Sequence, residues 1–118
     1  MILGSFYLRR TSNGNLTGEF YNTTNDTIFT ESADLQIGNN ESFVGEYDST
    51  YFDGGAQTRK LKIVMKNLNL NIFTLEWLNN GVAQFFGEGF INDDILIGTY
   101  WDDQLEAQLP DELVRFSR

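Results

Sequence analysis

Eight times along the chain, a short run rich in aromatic and β-branched residues is cut off by a cluster of Asn, Gly and Asp. The runs are Ile2–Arg10, Asn15–Asn22, Thr27–Ile37, Glu41–Phe52, Gln57–Lys66, Leu70–Leu78, Val82–Ile91 and Ile95–Asp102. A ninth piece, Glu112–Arg118, follows the only proline, Pro110. Runs of this length and pattern read as half-buried strands. The connectors Ser12-Asn13-Gly14, Gly38-Asn39-Asn40, Asp53-Gly54-Gly55, Asn79-Asn80-Gly81 and Asn92-Asp93-Asp94 supply the positive φ that tight hairpins require. No segment sustains a 3.6-residue period. The one helical candidate is Asp103–Leu109, long enough for a single turn.

Consecutive hairpin-linked strands make an antiparallel meander, and a long meander removes its exposed edges by closing. The expected fold is therefore all-β: a single domain over residues 1–118 forming an antiparallel up-and-down β-barrel of about eight strands. A two-sheet β-sandwich is the alternative, because periodicity alone does not separate closed from stacked sheets. Area scaling buries about two-thirds of the unfolded surface of a chain this size, so a core forms without staples. Which terminal segment closes the barrel stays open at this level.

The absence of cysteine and histidine narrows the chemistry. Disulfides, thiolate metal sites, histidine zinc or haem ligation and Ser-His-Asp triads all go with them. Carboxylate or Tyr/Lys catalysis remains, and no motif points to it, so the expectation is a protein without enzymatic activity, metal or cofactor. Seventeen acidic residues against eight basic give a net charge of −9, which repels nucleic acid and anionic membranes. No apolar run approaches the roughly 18 residues of a spanning helix. An outer-membrane barrel is set aside because Lys60, Lys62, Lys66, Glu19, Glu31 and Glu46 would interrupt a lipid-facing band. The N-terminus lacks a basic region followed by a long apolar one, so the expected location is cytoplasmic, with a secreted chain whose leader has been removed as the alternative.

An apolar-x-Gly-x-aromatic pattern recurs as Leu16-Thr17-Gly18-Glu19-Phe20, Phe43-Val44-Gly45-Glu46-Tyr47 and Leu96-Ile97-Gly98-Thr99-Tyr100, with a relative at Ile2-Leu3-Gly4-Ser5-Phe6. A two-residue period puts all three marked positions on one face. The glycine lets the strand bend or makes room for a neighbouring ring. These strands resemble those of calycin-type small β-barrels, the lipocalin-like and avidin-like proteins, best over Leu16–Ser49. Leu16-Thr17-Gly18-Glu19-Phe20-Tyr21-Asn22 is similar to the first avidin-family strand, and Val44-Gly45-Glu46-Tyr47-Asp48-Ser49 to its Gly-x-Tyr-x-Ser strand. The resemblance implies a ligand hydrogen-bonded by Asn22, Tyr47 and Ser49. Position 20 is Phe where that strand carries Trp, and only Trp77 and Trp101 remain to build a tryptophan cage.

Period-two alternation gives Ile2, Phe6, Leu8, Phe20, Phe43, Tyr47, Leu61, Ile63, Met65 and Tyr100 as the inner face. A few polar groups among rings is the usual make-up of a small-ligand pocket. The expected site therefore has Asn22, Tyr47, Ser49 and Tyr100 orienting a small organic molecule, while Phe20, Trp77 and Trp101 bury its apolar part. The alternative is a filled barrel serving protein interaction or self-assembly. Phe85 and Phe86 are adjacent, so one must face outward, and an outer ring would suit a homo-oligomer contact. Lys60, Lys62 and Lys66 alternate with Leu61, Ile63 and Met65 and line an exterior face.

Overall fold

The computed structural model describes residues 1–24, 26–53 and 57–109, of which 52, 53 and 57–59 contribute backbone alone. Eight strands follow one another: β1 (Leu3–Arg10), β2 (Leu16–Asn22), β3 (Phe29–Gly38), β4 (Gly45–Asp53), β5 (Gln57–Asn69), β6 (Ile72–Asn79), β7 (Val82–Asn92) and β8 (Ile95–Asp102). One short helix, α1 (Asp103–Gln108), continues directly from β8. Each strand pairs antiparallel with the next, and β1 pairs with β8 from Leu3↔Trp101 to Arg9↔Ile95. The sheet is thus a closed up-and-down barrel, and its first strand closes it. The sandwich alternative falls with that pairing. The expected ninth piece, Glu112–Arg118, lies outside the described residues.

The turn chemistry explains where strands begin and end. Asn80 and Gly81 adopt φ of 52° and 81° between β6 and β7, and Asp93 and Asp94 adopt 57° and 63° between β7 and β8. Four boundaries differ from the sequence expectation by two residues or more: β3 starts at Phe29 and not Thr27, β5 runs on past Lys66 to Asn69, and β4 and β6 start late. The fourth strand begins at Gly45 and not at Glu41. Asn39 Oδ1 accepts from the Glu41 amide and Ser42 Oγ from the Val44 amide, and these local bonds turn the chain before it can pair. Phe43, carried on that loop, is nevertheless buried. Similarly, the sixth strand begins at Ile72, because Leu70 sits in the β5–β6 turn with φ of 46°. The Asn67 side-chain amide donates to the Leu70 and Ile72 carbonyls at 2.8 and 3.3 Å and holds that turn.

Inside the barrel the two ends differ. Even-numbered strands finish at one end, here called the upper end; odd-numbered strands finish at the lower. The lower half is occupied by the buried side chains of Leu8, Leu16, Phe43, Tyr47, Met65, Phe73 and Leu96. Arg10 caps this plug, its guanidinium carbon 4.9 Å from the centre of the Phe43 ring. Outside, Lys60, Lys62 and Lys66 are exposed, and Lys62 pairs with Glu46 across β4 and β5 at 3.1 Å.

Leu70 is 86% exposed and holds a left-handed backbone with no packing to compensate. Leu70→Gly should therefore raise stability by about 0.5–1 kcal/mol, the left-handed penalty less the extra freedom of glycine in the unfolded chain. Chemical denaturation monitored by far-UV circular dichroism checks this.

Candidate functional site

Strand register brings a set of rings together in the upper half. Phe6 on β1 faces Phe20 on β2, which in turn faces Phe29 on β3. Glu31 on β3 pairs with Tyr51 on β4, and Trp77 on β6 pairs with Phe85 on β7. These residues enclose a cavity of about 150 Å³ with Ile2, Asn22, Thr24, Leu61 and Tyr100. Tyr100 joins the ring groups: its centroid lies 5.8 Å from Trp77, 5.9 Å from Phe85, 6.0 Å from Phe20 and 6.4 Å from Phe6. Most of these pairs meet edge-to-face, the arrangement ring quadrupoles favour, while Phe20 and Phe29 stack at 5.2 Å.

Two glycines make that arrangement possible. A Cβ at Gly4 would stand 2.6 Å from Tyr100 Cε1 and 2.3 Å from the Tyr21 carbonyl oxygen. One at Gly87 would stand 2.9 Å from Trp77 Cζ3. Gly4 therefore seats the Tyr100 ring, the space-making role anticipated for its strand, and Gly87, which lies outside that pattern, seats the indole.

The polar part centres on Glu31. This carboxyl is 6% exposed. Ser49 Oγ and Trp77 Nε1 both donate to its Oε2, the indole at 3.1 Å. Both donors fall on one oxygen, and Glu31 is among the residues that line the cavity. Burial pushes the Glu31 pKa up from the ordinary 4.5, and the Ser49 and Trp77 bonds pull it only partly back. Asn22 Nδ2 donates to the Tyr100 hydroxyl at 2.8 Å, while Asn22 Oδ1 accepts from the Thr24 amide at 2.9 Å and fixes the side-chain orientation. Burial pushes the Tyr100 pKa up to about 12, against the Asn22 bond, so the phenol keeps its proton across the physiological range.

Of the seven residues expected at the site, Phe20, Asn22, Trp77 and Tyr100 line the cavity. Ser49 is buried beneath it and acts on Glu31. Tyr47 faces inward but belongs to the lower plug, where its hydroxyl donates to the Phe43 carbonyl at 2.7 Å. The Asn22, Tyr47 and Ser49 trio is therefore not gathered around one space. Trp101 is on the outer face, paired with Phe86 and Leu3. It is only 9% exposed, and its Nε1 lies 3.4 Å from Glu106 Oε2 on α1, which packs against β7 and β8. Asp102 ends β8 by accepting from the Ile2 amide and capping α1 through the Leu105 amide. Of the adjacent phenylalanines, Phe85 lines the cavity and Phe86 lies outside.

Glu31 was expected on the outer band, and the structure turns it inward. The signal was present: Phe29, Glu31, Ala33 and Leu35 share a parity, and the other three are apolar. The outward positions of β3 are Thr30, Ser32, Asp34 and Gln36. Among the described residues, no group of three or more acidic side chains gathers as a metal site. Compared with known protein families, curated proteins and solved structures, the chain matches none.

A carboxyl whose folded-state pKa is raised favours folding when protonated and opposes it once ionised. Glu31→Gln should accordingly melt at a higher temperature than the unaltered protein at pH 7. The gap should close as pH falls toward 4.5, where glutamate in the unfolded chain also takes up its proton. Calorimetry of both proteins across that range checks the sign; a lower midpoint for the variant at pH 7 would overturn it.

Proposed function

We propose that this protein is a non-enzymatic binding module that holds a small organic ligand in the upper half of its barrel. The observation that carries this reading is the contrast between the two ends. One is occupied by large buried side chains, and the other keeps a ring-lined cavity of about 150 Å³ with a few oriented polar groups. A cavity near this size accommodates a benzene-sized molecule. Phe20 and Trp77 supply apolar contact, while Asn22 and Tyr100 form a fixed polar pair at its wall. Ser49 takes part through Glu31, and Tyr47 and Trp101 act as supports away from the ligand. The likeness of the Gly-x-aromatic strands to calycin-type barrels agrees with this reading.

The two indoles provide a built-in control. Titration with neutral fragments such as toluene or benzyl alcohol should move the Trp77 indole NMR signal saturably and leave that of Trp101 in place. Absence of any saturable shift at Trp77 over a set of such fragments would overturn the proposal.

A second reading, self-association, has its own observation. Phe90 is 54% exposed on the outer face, between Ile72 on β6 and Ile97 on β8. On that reading, Phe90→Ser should shift the sedimentation coefficient to that of the single chain. Unchanged sedimentation would remove it.

A further inference from the structure

The chemistry of the cavity discriminates between classes of ligand. Its charged group is the Glu31 carboxyl, and among the described residues no Lys or Arg lines it. The partners of that carboxyl, Ser49 and Trp77, are neutral donors, so they orient the group without cancelling its charge. Burying an ionisable acid in this way is costly unless a cation completes it. A pocket meant for a neutral molecule is built more stably with glutamine at the same place. The surrounding rings turn this into a specific host, because the π-faces of Trp and Tyr attract cations and do so most strongly when water is excluded. Trp77 serves twice: its N–H holds Oε2 and its ring lines the same space. The net charge of −9 adds an overall field that draws in cations and repels anions.

Resting on the binding-module reading, we propose that the cavity takes a small organic cation, an amine with a compact apolar body, whose nitrogen meets Oε1 of Glu31 while its carbon skeleton lies among Phe6, Phe20, Trp77 and Tyr100. The volume sets the size of the ligand at about that of benzylammonium, one ring and one charged nitrogen. Carboxylic acids and phosphates meet Glu31 with like charge and are refused.

The test compares benzylammonium with benzyl alcohol, nearly equal in shape and different in charge, each titrated at pH 7 against the intact protein with the Trp77 indole signal as readout. The proposal expects benzylammonium to bind roughly tenfold or more tightly, the scale of a hydrogen bond to a charged group. Glu31→Gln should erase this preference, bringing the two affinities within about twofold of each other. Equal or tighter binding of benzyl alcohol to the unaltered protein overturns the cation proposal and leaves the binding module standing. Failure of both molecules to bind overturns both. Should Glu31→Gln not fold, the ligand pair on the unaltered protein decides the question alone.

Discussion

Closure of β1 onto β8 is the constraint on which everything else in this molecule rests. With no free edge, every strand is held from both sides, and a one-residue slip anywhere would turn an inward set outward. The interior of an eight-stranded barrel is only wide enough for side chains or one small molecule. Large residues on all eight strands therefore compete for the same axis. The lower half resolves the competition by plugging, with Phe43 brought in from a loop and Arg10 laid over it. In the upper half, Tyr100 and Trp77 stand in space that Gly4 and Gly87 give up. Its cavity is a consequence of where the rings lean.

How much of this was readable in the sequence follows from the range of the interactions involved. Strands and hairpins are local matters of alternation and turn residues, and all eight strands were readable for that reason. The late strand starts at Gly45 and Ile72 depend on side chains bonding to nearby backbone, which apolar runs do not reveal. Which face a residue occupies is also local, and the ten residues read as inner belong to the core or pack against it. Height along the barrel axis is not local. Tyr47 and Tyr100 share a face assignment yet lie at opposite ends, because height is set by the register of all the strands together. Trp101 shows a different limit: α1 and the partner Glu106 bury a ring that the strand alone presents to solvent.

Glu31 is where stability and composition disagree. The Lys62–Glu46 pair lies on the outer face, where water screens it, while the buried Asp102 caps α1 and the buried Glu106 lies on that helix. Glu31 lies inside the barrel with neutral donors as partners, and its burial favours the protonated form more than the Ser49 and Trp77 bonds favour the carboxylate. Among the described residues no buried side-chain nitrogen or oxygen is left without a partner. The polar interior is thus complete as a hydrogen-bonded arrangement and incomplete as an electrostatic one. A filled core has no use for that difference, since glutamine or an apolar residue satisfies the same packing. A site that must distinguish a cation from a neutral molecule of equal shape does have a use for it. On the proposed reading, the uncompensated charge is the source of selectivity, and the burial of Glu31 limits the screening of that charge by water.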